Sequence, residues 1–226
     1  MATVNLLAPA ASGVYQVRSG VTYTASATGL ITGVPAATTD VLDLLADGCI
    51  IVSNIANIGT AGVGVAAVEY GGPFDHTTVL TLGAACVLPA IAGGAALGVG
   101  TLLYTLPAGA QIIDAAQIAV GITQTQGNIN ANTPTVGLGH VVASGVVSVL
   151  SGTASFQSIA VGKAAANCTG TPTVQTAAAT ASPFTLTSDI GGVKAVYFNA
   201  AATWSASGDA AAKLSGTVTL KWRTLS

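Results

Sequence analysis

Two packed β-sheets preceded by a smaller β-rich module are what three features of this sequence predict. The last strand-like stretch alternates strictly. Leu214, Gly216, Val218, Leu220 and Trp222 fall on one face, Ser215, Thr217, Thr219, Lys221 and Arg223 on the other. Such period-two alternation rests one face on a core and leaves the other in water. Further apolar runs recur along the chain, divided by Gly and Pro, which is how short strands are punctuated. A single stretch, Thr39-Asp-Val-Leu-Asp-Leu-Leu-Ala-Asp-Gly48, reads as a helix.

Residues 1–13 read as an N-terminal arm. Val4, Leu6 and Leu7 are apolar, Pro9 interrupts, and no periodicity is sustained. An arm of this kind orders on a neighbouring molecule, which makes Val4, Leu6 and Leu7 candidate contacts; a solvated tail is the other reading. Residues 14–104 form a β-rich module. Val14-Tyr-Gln-Val17 and Val21-Thr-Tyr-Thr24 are short strands, and Thr39 or Asp40 caps the helix that Gly48 ends. Cys49 to Val52, Val63 to Tyr70, Thr77 to Leu82 and Gly98 to Leu106 follow as strands, with a turn at Gly71-Gly-Pro73. The pattern fits both an independent module and one that lends strands to the main sheet.

Residues 105–226 carry the main domain. Strands are expected over Gln111 to Ile113, Gln117 to Ile122, Thr135 to Gly139, Gly145 to Leu150, Phe156 to Val161, Phe184 to Thr187, Val193 to Phe198 and Leu214 to Arg223. About eight strands with long polar connections fit a jelly roll or a related β-sandwich.

Charge is the unusual quantity. Six Lys and Arg and eight Asp and Glu make 6% of the 226 residues, against about 25% in an ordinary soluble domain. Either the chain sits in a membrane, or partner chains cover much of its surface. Ala84 to Tyr104 is long enough to span a bilayer, but Pro89, Gly93, Gly94, Gly98 and Gly100 interrupt it and no Lys or Arg flanks it. Covered surface is the better account, with no membrane partner. Lys and Arg are absent before Arg18, so no secretory leader is expected. A net charge of −2 with scattered basic residues offers no footprint for nucleic acid. Cys49, Cys86 and Cys168 match no metal or redox spacing and read as buried thiols in a reducing compartment.

No arrangement for catalysis stands out, so neither an enzyme nor a cofactor is expected. Asp75-His76 is the one adjacent acid–histidine pair and reads as an exposed turn, with no nucleophile elbow near it in sequence. Two His and three distant Cys reproduce no zinc spacing. Gly98-x-Gly100 and Gly137-x-Gly139 lack the strand-Gly-helix context of a phosphate cradle and read as strand or turn glycines. Asp40, Asp43 and Asp47 share one helix face, either simply solvated or meeting a basic patch on a partner. Trp222 belongs to the core by its alternation. Trp204, after a turn-like Ala200-Ala-Ala-Thr203, is a core anchor or a subunit contact.

Ser19-Gly-Val-Thr-Tyr-Thr-Ala25, Gly29-Leu-Ile31 and Asp40-Val-Leu-Asp-Leu-Leu-Ala-Asp-Gly-Cys49 resemble a module of small structural proteins of tailed bacteriophages. Leu106-Pro-Ala-Gly-Ala110, Val136-Gly-Leu-Gly139, Val196-Tyr-Phe-Asn-Ala-Ala-Ala-Thr-Trp204 and Ser215-Gly-Thr-Val-Thr-Leu220 follow the layout of phage jelly-roll head proteins of the decoration, or cement, class. That resemblance implies a virion protein on the capsid exterior, assembled in the host cytoplasm. Its implied partners are the major capsid protein and its own copies, as a trimer. A tail-associated adhesin module that binds a host surface is the alternative, since a sandwich does not fix function.

Overall fold

The computed structural model describes residues 3–27, 29–35, 38–52, 59–71, 75–107, 110–178, 184–186 and 195–225. The chain divides into two compact units, residues 1–58 with 69–77, and residues 59–68 with 78–226. The division does not fall at 104/105. Residues 96–105 form a strand paired along its length with a later one, so they belong to the larger unit.

In the smaller unit, β1 (Thr3–Leu7) lies between β4 (Leu30–Pro35) and β5 (Ile50–Val52), and β2 (Val14–Gln16) pairs with β3 (Thr22–Thr24). The expected arm is therefore the central strand of a sheet. Leu6 is fully buried, in a core with Ile31, Val34, Val41, Leu44 and Cys49. The register slips between Val4 and Leu6, and the Asn5 side chain accepts a hydrogen bond from Gly33 N at 3.1 Å. This irregularity is why no clean alternation was visible. Helix α1 (Thr39–Ala46) has Thr38 at its N-cap, one residue earlier than expected. Its C-terminus closes as foreseen: Gly48 adopts φ +86°, and Gly48 N and Cys49 N donate to Leu45 O and Leu44 O. These are the two bonds of a Schellman cap.

The larger unit contains two antiparallel sheets. One has the order β13 (Ala160–Ala164), β12 (Thr135–Gly139), β16 (Ala195–Thr203), β10 (Ala96–Thr105), β6 (Thr60–Ala61). The other runs β14 (Thr173–Ala178), β11 (Ala110–Thr123), β17 (Ala212–Leu225), β8 (Asp75–Leu82), β7 (Val65–Gly71), with β15 (Phe184–Leu186) beside β11 and β9 (Val87–Leu88) beside β17; residues 69–71 of β7 and 75–77 of β8 are counted with the smaller unit. Taken in chain order, β8, β10, β11, β12, β13, β14, β16 and β17 pair first with last, second with seventh, third with sixth and fourth with fifth, alternating between sheets. A long hairpin rolled in this way is a jelly roll. The fold class is thus as expected.

The core draws on both sheets: Val99 and Leu103 from β10, Val136 and Leu138 from β12, Val196, Phe198 and Ala200 from β16, and Ile118 and Val120 from β11. Leu214, Val218, Leu220 and Trp222 of β17 are all buried in it, as their alternation predicted. Trp222 Nε1 donates to Thr78 Oγ1 at 2.8 Å. The expected turn at 200–203 is the end of β16, which carries Trp204 into the core, where its indole N–H donates to Leu97 O at 2.9 Å. Trp204 is therefore no surface contact. At the β13–β14 edge, Lys163 Nζ donates to Val174 O at 2.8 Å and Gln175 Nε2 to Val161 O. Each edge strand thereby loses a carbonyl that an incoming strand would need.

Candidate interaction surface

Glycine at alternate positions prepares one outer face of the sandwich. On β10, β16 and β12 the residues facing away from the core include Gly98, Gly100, Asn199, Ala201, Gly137 and Gly139, with Asn199 opposite Gly100 on one side and Gly137 on the other. A glycine inside a strand marks a close approach of another backbone. Here the approaching segment is 140–159, a strap that leaves β12 and returns as β13.

A Cβ on Gly100 would lie 2.1 Å from Asn199 Oδ1, and one on Gly139 would lie 2.4 Å from Ser155 O. Asn199, fully buried, fastens the strap with its whole amide. Nδ2 donates to Val141 O at 2.9 Å and Phe156 O at 2.7 Å, and Oδ1 accepts from Ala143 N at 2.8 Å. Beneath the strap Ala143, Leu150, Phe156 and Ala201 form a small core of their own, with Val147 against it. The expected strands at 145–150 and 156–161 are corrected accordingly. The first is strap ending in a 3-10 turn at Leu150–Gly152, and a second such turn spans Ala154–Gln157 before β13 begins at Ala160. The composition favoured β structure, but the segment lies across the glycine face with no strand to pair.

The strap's outward side is uncharged, with valines set among the exposed Ser144, Ser148 and Ser151. Val141, Val142 and Val149 are exposed and Val146 is 90% exposed, and no Asp, Glu, Lys or Arg occurs between Asp114 and Lys163. His140, the strap's single ionisable group, bonds through Nδ1 to Ser158 Oγ at 2.7 Å. Burial holds its pKa below the ordinary 6.5. The unfolded chain therefore binds a proton below about pH 6.5 that the folded chain resists, so stability falls as pH drops through that value. Thermal denaturation from pH 7.5 to 5.5 is expected to show this loss, and His140→Asn to reduce it. An unchanged pH profile in that variant would contradict the assignment.

Comparison with family models, with curated proteins and with solved structures finds no match to this chain.

The remaining candidates are dispersed. Val4 and Leu7 are half-buried in the smaller unit beside buried Leu6. Asp40, Asp43 and Asp47 do not form one solvated face. Asp40 is buried and accepts from Tyr23 Oη at 2.9 Å. Asp43 accepts from Arg18 N at 2.9 Å and Nε at 2.8 Å, which keeps its carboxyl below the usual range. Only Asp47 is exposed. Asp75 is exposed but His76 is buried, bonded to Glu69 at 2.5 Å, so the pair is not a solvent-facing turn. All three cysteines are buried and free, and burial pushes Cys86 and Cys168 up to about 11. Among the described residues no group of three or more His, Cys, Asp and Glu is placed to hold a metal.

Asp209 escaped notice in the sequence. Its carboxylate receives Thr125 N and Oγ1, Gln126 N and Ala211 N and so anchors the polar loop after β11. Burial raises its pKa, but these hydrogen bonds outweigh it and the net shift is downward.

Proposed function

We propose that this chain is a virion structural protein, a decoration or cement subunit on the outside of a tailed-phage head, with no catalysis and no cofactor. The observation that carries the reading is the strap: an uncharged segment fastened to a jelly roll by a buried asparagine, displaying four valines outward. Exposed apolar surface on a soluble fold marks a site of association. The resemblance of the sequence to phage head proteins supports association with a shell and with further copies of the chain, in a trimer.

Cementing requires no strong single site. Copies bridging neighbouring capsomers bury apolar area across joints that outward pressure would open, and repetition multiplies a modest contact into firm attachment. Purified chain added to shells that lack it should co-sediment and raise their rupture temperature. Val146→Asp, which alters a side chain in water, should weaken attachment by at least about tenfold while leaving the fold intact. Shells that leave the wild-type chain in the supernatant would refute the proposal.

A further inference from the structure

The two units differ in charge. Residues 1–58 with 69–77 hold Asp40, Asp43, Asp47, Glu69 and Asp75 against Arg18, a net −4. Residues 59–68 with 78–226 hold Asp114, Asp189 and Asp209 against Lys163, Lys194, Lys213, Lys221 and Arg223, a net +2. Unlike net charges favour a contact between the smaller unit of one copy and the larger unit of another.

Each unit also carries a specific half of such a contact. Helix α1 is apolar on both sides. Val41 and Leu44 are buried, while Leu42, Leu45 and Ala46, spaced as neighbours on one face, are exposed, Leu42 by 64%. An apolar stripe that continues past a helix's buried face expects cover there as well. One residue past Ala46, exposed Asp47 caps the C-terminus, where the helix dipole is negative and a carboxylate is disfavoured. The last turn has no basic residue, and among the described residues no cation pairs with Asp47. A cation from outside would relieve that position.

The complementary half is on the outer face of the β11–β17 pair. A bulge between Ile113 and Ala115 and small residues beside it leave a depression of about 270 Å³ lined by Ala115, Ala116, Gln117, Thr219 and Lys221. Ligand pockets usually exceed about 300 Å³, so this one suits a protein side chain better than a cofactor. Arg223 is committed to Asp114 at 2.8 Å. Lys221 is exposed, and among the described residues no carboxylate pairs with it.

We infer that α1 of one copy docks on this depression of a second copy, with Leu42 or Leu45 in the hollow and Asp47 against Lys221. The contact is heterologous, so repetition closes a ring or extends a chain. This rests on the reading that the protein works as repeated copies, and it names the surfaces that join them.

The test uses the purified full-length chain alone, by sedimentation velocity over a concentration series. Wild type is expected to self-associate. Asp47→Lys, Lys221→Glu and Leu42→Ser should each weaken association by about tenfold or more, and Asp47→Lys with Lys221→Glu should recover it. All three positions are solvent-exposed, and circular dichroism verifies that the variants fold. A monomeric wild type would overturn the inference, as would single variants that associate normally or a charge swap that restores nothing. A monomer whose α1 variants lose shell binding would assign the helix face to the shell instead, and would also overturn it. Because no shell is present, failure here leaves the decoration reading standing, and failure of shell binding leaves this contact standing.

Discussion

Replacing Asn199 by alanine is expected to release the strap and destabilise the sandwich by about 3 kcal/mol, since stranding a buried hydrogen-bonding group costs about 1–3 kcal/mol. Three backbone groups lose their partner at once: Val141 O, Phe156 O and Ala143 N. For a chain of this length the melting temperature should fall by roughly 6–12 °C. The damage should also be local. Hydrogen exchange and limited proteolysis should increase first across 141–158, before the core strands open. Gly100→Ala provides an independent route to the same outcome, because its Cβ would meet Asn199 Oδ1 at 2.1 Å and force the amide from its place. A variant melting within a degree of wild type, with an unchanged strap, would show that the asparagine does not hold the segment.

Removal of residues 1–8 should have the larger effect. The expectation of a detachable arm would have such a truncation bind shells less well while folding normally. As the central strand, β1 instead pairs with β4 on one side and β5 on the other. Among the described residues neither neighbour has another strand to pair with, and strands in isolation do not hold together. Loss of the buried Leu6 side chain alone would cost about 2–5 kcal/mol. The smaller unit is expected to unfold, with exchange protection lost over β4, β5 and α1. Leu6→Ala is the milder probe and should weaken the same unit without shortening the chain. A truncated chain that keeps protection in α1 would restore the arm interpretation.

These two predictions lie on opposite sides of what the sequence made legible. The strand β17 was readable because nothing interrupts its alternation, and it supplies four buried residues between Leu214 and Trp222. Strand β1 was hidden by its irregular register at Asn5. Trp204 was ambiguous because three alanines and a threonine resemble a turn, whereas pairing with β10 keeps them extended. Arg18 lies 25 residues from Asp43, and Thr125 and Gln126 lie 84 and 83 from Asp209, distances at which no local pattern operates. The strap did leave a trace. Gly98-x-Gly100 and Gly137-x-Gly139 place glycines on one face of two strands, and that spacing anticipates backbone lying flat upon the sheet. What the glycines could not reveal was that Asn199 stands between them.

On the decoration reading, neighbours in a shell cover this exterior, which is poor in ionic groups. Quantitative mass spectrometry of purified particles, counting this chain against the major capsid protein, tests it most directly. The decoration reading predicts copy numbers of the same order as the shell protein itself. A handful of copies per particle, as a tail-borne adhesin would show, or none, would contradict it.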